Sequence, residues 1–163
     1  IFNNHAERVR IANLAQCVNV LQAVILTDKE KMILTPTYHV MEMYNVHQDA
    51  RLLQVNLSAP DYTFGNEAIK AVSASASTDS LGRTHLSLVN IDAAKTYEVK
   101  VELNNKKFTQ VAGRILQSEK LQDHNTFDNP NKILPRTFQD ASINGNLITV
   151  KLPPFSVVVL ELK

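Results

Sequence analysis

Tryptophan is absent from this chain, and glycine (4), proline (6) and cysteine (1) are scarce. So little glycine and proline excludes collagen-like and low-complexity chains, while 44% hydrophobic residues supply a core and exclude wholesale disorder. The lone Cys17 closes no intramolecular disulfide and builds no thiolate zinc site by itself. With no activating partner in its neighbourhood, it is expected to be a buried structural thiol. No apolar run approaches the roughly 18 residues that a bilayer-spanning helix requires, and no basic-then-apolar leader opens the chain. Charge of one sign is also missing: 17 basic against 16 acidic residues leave a formal +1. That balance provides no basic field for nucleic acid or for an anionic membrane. Neither a glycine-rich phosphate loop nor a Gly-x-Ser-x-Gly elbow is present, so phosphoryl transfer and serine hydrolysis lack support. Aromatics at 6% without Trp argue against a flat platform for stacking sugar rings. The opening Ile-Phe-Asn-Asn, without Met, fits processing and equally a domain cut from a longer polypeptide, so the compartment stays open, with cytoplasm ahead of periplasm or secretion.

What is present fills one domain, or one domain and a piece of another, because 163 residues lie within the usual range of a single domain. The composition changes near Asp49–Ala50, which sets units at 1–49 and 50–163. The first holds all 3 methionines, Cys17 and helical periodicity; the second alternates apolar and polar residues between Asp, Asn, Gly and Pro. Tyr97, Val99, Val101 and Leu103 interleave with Glu98, Lys100 and Glu102, a period of two with one buried face, and Asn104-Asn105 ends the run in a turn. Val72, Ala74 and Ala76 form the inner face of a small-residue strand. Further strands are expected over 52–57, 68–77, 84–92, 109–118, 147–152 and 155–162, the last two separated by Pro153-Pro154. About seven antiparallel strands predict a β-sandwich of jelly-roll type. The stretch 119–142 reads as a long surface excursion, and Tyr62 as a loop residue.

In the first unit, Thr35 as N-cap and Pro36 at the first position predict a helix to about Gln48, with a Tyr38/Met41/Tyr44 stripe against the sandwich. Residues 23–34 read as a loop or a pair of short extended pieces. Residues 8–15 satisfy both a strand and a helix period. The amides Asn13, Gln16, Asn19 and Gln22 recur every third residue, either as the polar face of a helix or as groups at a strand's C-terminal end. His39 and His47, two turns and about 12 Å apart on the helix, are too distant to share a metal and read as polar helix-face residues. His124 with Asp128 lacks the carboxylates and the glycine turn of a Ca²⁺ loop. No metal site and no cofactor are expected.

Residues 8–27, Arg-Val-Arg-Ile-Ala-Asn-Leu-Ala-Gln-Cys-Val-Asn-Val-Leu-Gln-Ala-Val-Ile-Leu-Thr, and 34–50, Leu-Thr-Pro-Thr-Tyr-His-Val-Met-Glu-Met-Tyr-Asn-Val-His-Gln-Asp-Ala, resemble the close of the catalytic barrel in α-L-arabinofuranosidases of glycoside hydrolase family 51. The remainder, through Leu152-Pro-Pro-Phe-Ser-Val-Val-Val-Leu-Glu-Leu162, resembles the jelly-roll sandwich that comes after that barrel. The resemblance implies a mainly β fold, an antiparallel sandwich preceded by the last βα unit of a (β/α)₈ barrel. It implies a retaining enzyme that releases terminal arabinofuranosyl residues from arabinan or arabinoxylan through two glutamates roughly 5 Å apart. Nothing here matches the motifs around either glutamate, so the chain itself is expected to be silent and structural. By the same resemblance residues 8–15 are the eighth barrel strand, Gln16 at its end binds the arabinose, Asn13 and Asn19 shape that end, and 23–34 form the last βα loop. Without its barrel neighbours, residues 8–22 are expected to turn helical or to join a partner chain. The sandwich is implied to draw a strand from the N-terminal end of the full protein, leaving an open edge here. The partners implied are an arabinofuranosyl oligosaccharide and further copies of the chain in a homo-oligomer, with no nucleic acid and no membrane. An independent glycan-binding module and an oligomerisation element are the alternative roles for the sandwich.

Overall fold

The computed structural model describes residues 1–15, 17–21, 23–103 and 107–163. A 3₁₀ turn, Phe2–His5, precedes an irregular segment that leads to a hairpin of β1 (Ile25–Asp28) and β2 (Lys31–Leu34), then helix α1 (Pro36–Tyr44) and a further 3₁₀ turn, Asn45–His47. The strands of the second unit are β3 (Arg51–Leu53), β4 (Asp61–Phe64), β5 (Glu67–Lys70), β6 (Val72–Thr78), β7 (Thr84–Asn90), β8 (Tyr97–Glu102), β9 (Val111–Gln117), β10 (Arg136–Phe138), β11 (Ala141–Asn144), β12 (Leu147–Leu152) and β13 (Ser156–Leu162). A six-stranded sheet in the order β10-β9-β13-β7-β6-β3 faces a three-stranded sheet, β11-β12-β8. Every strand pair in both sheets is antiparallel. This is the expected β-sandwich.

Alternation builds its core. Val72 and Ala76 of β6, Leu86 and Leu88 of β7, Ile115 of β9, and Val158, Leu160 and Leu162 of β13 meet Ile148, Val150 and Leu152 of β12, with Val99 and Val101 of β8 packed alongside. In β8 the charged partners point to water, and Glu98 lies opposite Lys151 of β12. The outer edge of β8 has no partner strand among the described residues. At the opposite end Asn90, almost wholly buried, donates from its amide to the carbonyls of Lys95, Leu152 and Pro153. One buried side chain thereby ties the β7–β8 connection to the start of the turn between β12 and β13.

Several expected boundaries shift. The strand read over 52–57 is only Arg51–Leu53. The one read over 68–77 splits at Ala71, whose N–H bonds the Pro60 carbonyl and whose own carbonyl accepts from Ile91, so β5 turns away as a hairpin with β4. Tyr62 therefore sits in a strand, and the excursion contains β10 and β11. The turn at Asn104-Asn105 lies outside the described residues. The 23–34 region is indeed a pair of short extended pieces, paired to each other.

Helix α1 starts as expected at Pro36, but the Thr35 hydroxyl does not cap it: Oγ1 donates to the Ala23 carbonyl at 2.7 Å instead. Of the Tyr38/Met41/Tyr44 stripe, Tyr44 packs on the sandwich and Met41 does not. His39 and Met43 are the buried helix residues, and Met41 stays 46% exposed. Met43 meets Leu116, Ile133 and Val159, with Tyr44 at the edge of the cluster. The reason is the sheet beneath. Its outer face carries Ser75, Ser77, His85, Ser87, Arg114 and Glu161 beside the apolar Leu116 and Val159, so the helix docks through Met43 on the apolar part and through Glu42 and Tyr44 on the polar part.

Gly113 of β9 lies where β10 and β13 close in: a Cβ there would stand 2.7 Å from Leu160 Cδ2 and 3.1 Å from Phe138 Cβ. Leu160 is fully buried and has little room to yield. Gly113→Ala is expected to destabilise the chain by about 1–3 kcal/mol through overpacking, read as a lower midpoint in urea unfolding at unchanged slope.

Candidate functional site

Residues 9–14 have neither helix nor strand assigned, and Ile11 is 75% exposed. The helical alternative for 8–22 is thus corrected among the described residues, and the strand that the resemblance implies for 8–15 is not formed in this chain. A parallel strand needs hydrogen-bonding neighbours on its edges and cover on its faces, and the described residues supply neither. Residues 17–19, by contrast, are ordered by the β1–β2 hairpin. The Cys17 carbonyl accepts from the N–H groups of Val24 and Ile25, at 3.0 and 3.1 Å, and Val18 bridges Ile25 in parallel. Asn19, at φ 55°, uses its whole amide on β1: Nδ2 donates to Thr27 Oγ1 at 2.8 Å and Oδ1 accepts from Thr27 N at 2.7 Å. A left-handed backbone suits Asn, whose short side chain bonds locally.

Of the sequence-selected residues, Asn13 is exposed in the irregular segment, Asn19 holds the hairpin, and Gln16 lies outside the described residues, as does Gln22. Cys17 is exposed, not buried, with Sγ donating to the Leu14 carbonyl at 3.6 Å. Among the described residues no group of three His, Cys, Asp or Glu side chains is placed to hold a metal ion. His124 uses Nδ1 on the Gln122 carbonyl. No helix of the described residues is long and apolar enough to cross a membrane.

The histidines read as solvated helix-face groups prove to be docking groups. His39 is 6% exposed, its ring edge-on to Tyr38 at 5.5 Å, and burial holds its pKa below the ordinary value. His47, just past the helix, bridges two strands: Nδ1 lies 2.7 Å from Ser77 Oγ of β6 and Nε2 lies 2.5 Å from Ser87 Oγ of β7. The Tyr44 hydroxyl also bonds Ser87, and burial raises its pKa. Next to this cluster His85 Nε2 meets Asp79 Oδ2 at 3.1 Å. Burial pushes the Asp79 carboxyl up, but bonds from His85, from the Arg83 side chain and from the backbone of Arg83 and Leu81 together hold it well below the carboxylate range. On the far side of the helix, Arg114 of β9 clamps Glu42 with two bonds of 2.8 and 2.9 Å, which lowers the Glu42 pKa. No local pattern marks His47 in the sequence, because its serine partners lie 30 and 40 residues downstream.

Burial, then the neighbouring His85, brings the His47 pKa down to about 4 from 6.5. A neutral ring is therefore bound in the folded chain, while the unfolded chain takes up a proton first as the pH falls. The docking contribution is complete above pH 6.5 and is lost progressively as the pH drops toward about 4. His47→Ala should cost about 1–3 kcal/mol at neutral pH by removing the bonds to Ser77 and Ser87, of which Ser87 keeps its bond to Tyr44. The gap between wild type and variant should narrow through that window in denaturant titrations at stepped pH; a gap independent of pH would contradict a neutral bridging ring.

Comparison with known proteins places this arrangement. A family model described as the α-L-arabinofuranosidase C-terminal domain matches residues 1–156. An intracellular exo-α-L-arabinofuranosidase of Bacteroides ovatus is 42% identical over 164 aligned positions, covering 100% of this chain and 32% of that protein. The crystal structure of the GH51 arabinofuranosidase from Xanthomonas axonopodis pv. citri superposes with a TM-score of 0.96 at 42% identity, over 99% of this chain and 33% of that one. A thermostable GH51 α-L-arabinofuranosidase from Thermotoga petrophila RKU-1 gives a TM-score of 0.76 at 25% identity, over 97% of this chain and 35% of that one. The chain thus spans about a third of the length of these relatives. With the family model running through the irregular segment, the helix and every strand up to the start of β13, the chain belongs to the α-L-arabinofuranosidase C-terminal domain family of the GH51 enzymes.

Proposed function

We propose that this chain is the C-terminal part of a retaining α-L-arabinofuranosidase that removes terminal non-reducing arabinofuranosyl residues from arabinan and arabinoxylan oligosaccharides. The observation that carries the reading is 42% identity over the full chain to an exo-acting arabinofuranosidase about three times as long. In this reading residues 1–49 close the (β/α)₈ barrel and 50–163 form the sandwich behind it. The chain supplies no catalytic carboxylate. The two glutamates that form and hydrolyse the glycosyl-enzyme would come from upstream barrel strands.

Gln16 is the substrate-binding residue of this part. Its amide offers donor and acceptor on one planar group, so it orients ring hydroxyls without titrating. Asn13 and Asn19 are supporting groups, and the bond from the Asn19 amide to Thr27 favours a role in shaping the segment. The solvent-exposed Ile11 and Leu21 are the kind of apolar surface that upstream barrel elements would cover. The free edge of β8 would accept a strand from the same upstream chain.

Two measurements test the reading. The longer enzyme should hydrolyse an aryl α-L-arabinofuranoside with retention, seen by NMR of the first-formed anomer, while the 163-residue chain alone gives no turnover. In the longer enzyme Gln16→Ala is expected to raise KM by about tenfold or more through lost sugar hydrogen bonds, and Asn13→Ala by less than about threefold. Equal effects of the two variants would remove Gln16 from its assigned place.

A further inference from the structure

The excursion between β9 and β10 carries a polar residue buried more deeply than most of its apolar neighbours: Asn125 is 2% exposed. Its amide is fully engaged with backbone. Oδ1 accepts from Ile133 N at 2.7 Å, and Nδ2 donates to the carbonyls of Ile133 at 3.0 Å and Leu34 at 2.9 Å. The first two bonds fold the excursion onto itself, and the Ile133 side chain then enters the cluster under α1. The third bond leaves the sandwich. Leu34 is the last residue of β2, so this bond ties the excursion to the first unit.

From Leu34 the bonding continues without a break. Thr35 closes the base of the hairpin, its N–H to the Val24 carbonyl and its hydroxyl to Ala23. Val24 and Ile25 in turn donate to the Cys17 carbonyl, and Thr27 is held by the Asn19 amide. One buried side chain of the sandwich is thereby connected, through the β2–β1 hairpin, to residues 17–19. Side chains that must hold a ligand to a fraction of an ångström depend on such supporting contacts for their geometry.

We propose that Asn125 is a positioning residue through which the sandwich sets the rim of the substrate cleft. This rests on the reading that residues 23–34 are the last βα loop of an arabinofuranosidase barrel. The hairpin, with its exposed Met32, would meet the part of an oligosaccharide beyond the arabinosyl unit being cleaved, so Asn125 tunes the preference for long over small leaving groups. The Asn side chain suits the place because two backbone carbonyls need donors and one N–H needs an acceptor, which neither Asp nor a hydroxyl satisfies together.

The experiment compares wild type, Asn125→Ala and Lys132→Ala in the longer enzyme, using an arabino-oligosaccharide and an aryl α-L-arabinofuranoside. Lys132→Ala breaks the ion pair with Asp123 on the same excursion without touching the clasp, so it controls for general loosening. Asn125→Ala should raise KM for the oligosaccharide by about fivefold or more, with kcat and the aryl KM within about twofold, and the control should match wild type. Unchanged oligosaccharide KM overturns the proposal. Equal losses on both substrates, or loss of hydrogen-exchange protection in β7 and β13, make Asn125 a general stability residue and overturn it as well. A measurement on the unmutated 163-residue chain stands apart from folding of the variant: the Asn125 side-chain amide protons should exchange with water slowly by NMR, and rapid exchange sinks the clasp. A wild-type enzyme that turns over neither substrate defeats the arabinofuranosidase reading instead, and leaves the exchange result to decide the clasp.

Discussion

The central strands β6, β7 and β13 must be covered on both faces, and the rest of the chain is arranged around that requirement. In β7 every residue but Val89 is buried. Toward the three-stranded sheet the solution is apolar: Leu86 and Leu88 pack with Val158, Leu160 and Val150. Toward the first unit it is largely polar, with His85 and Ser87 of β7 beside Ser75 and Ser77 of β6. Burying hydroxyls and imidazoles without partners would cost more than the apolar side gains per residue, so whatever covers this face must bring hydrogen bonds. The 3₁₀ turn after α1 brings His47, α1 brings Tyr44 and Glu42, and the turn at the N-terminus brings Asn3 to Ser75 and Asn4 to the Ala74 carbonyl.

Legibility in the sequence depended on where a residue's partners lie. The period-two run 97–102 gave β8 directly, because a strand with one face in water writes its burial into its own alternation. The β12–β13 break was readable from Pro153-Pro154, and the helix start from Pro36. The face that α1 buries was readable only in part: of the apolar stripe Tyr38/Met41/Tyr44, Tyr44 packs on the sandwich, but the buried positions are His39 and Met43. Cys17 failed for a similar reason. A small apolar thiol is most often buried, but its segment has no layer above it in this chain, and only a structure shows that.

The same logic explains why the proposed sugar-binding residues rest on resemblance. Amides at 13, 16, 19 and 22 are equally compatible with a helix face and with a strand end. Deciding between them takes neighbouring elements, which the described residues do not supply. Residues 9–14 run without a hydrogen-bonded neighbouring strand among the described residues, and their path is irregular. The β1–β2 hairpin is different. Its antiparallel partners are only a few residues apart, so it forms from local information and orders residues 17–19 without the barrel.

Two buried asparagines show how the sandwich handles its irregular connections. Asn90 takes three carbonyls around the proline turn between β12 and β13, and Asn125 takes the carbonyls of Ile133 and Leu34 together with one N–H. Both stand where backbone groups have left the ladders and water is excluded, a situation in which each unmet group costs on the order of 1–3 kcal/mol. A carboxylate in either place would offer no donors and would carry a desolvated charge; a lysine would carry the charge and accept nothing. A neutral amide avoids both penalties, and because its geometry is planar and short, the segments it joins are held at a fixed distance. Asn90 acts within the sandwich, so its effect is on folding alone. Asn125 acts between the sandwich and the hairpin, where its amide bonds the Leu34 carbonyl at the end of β2.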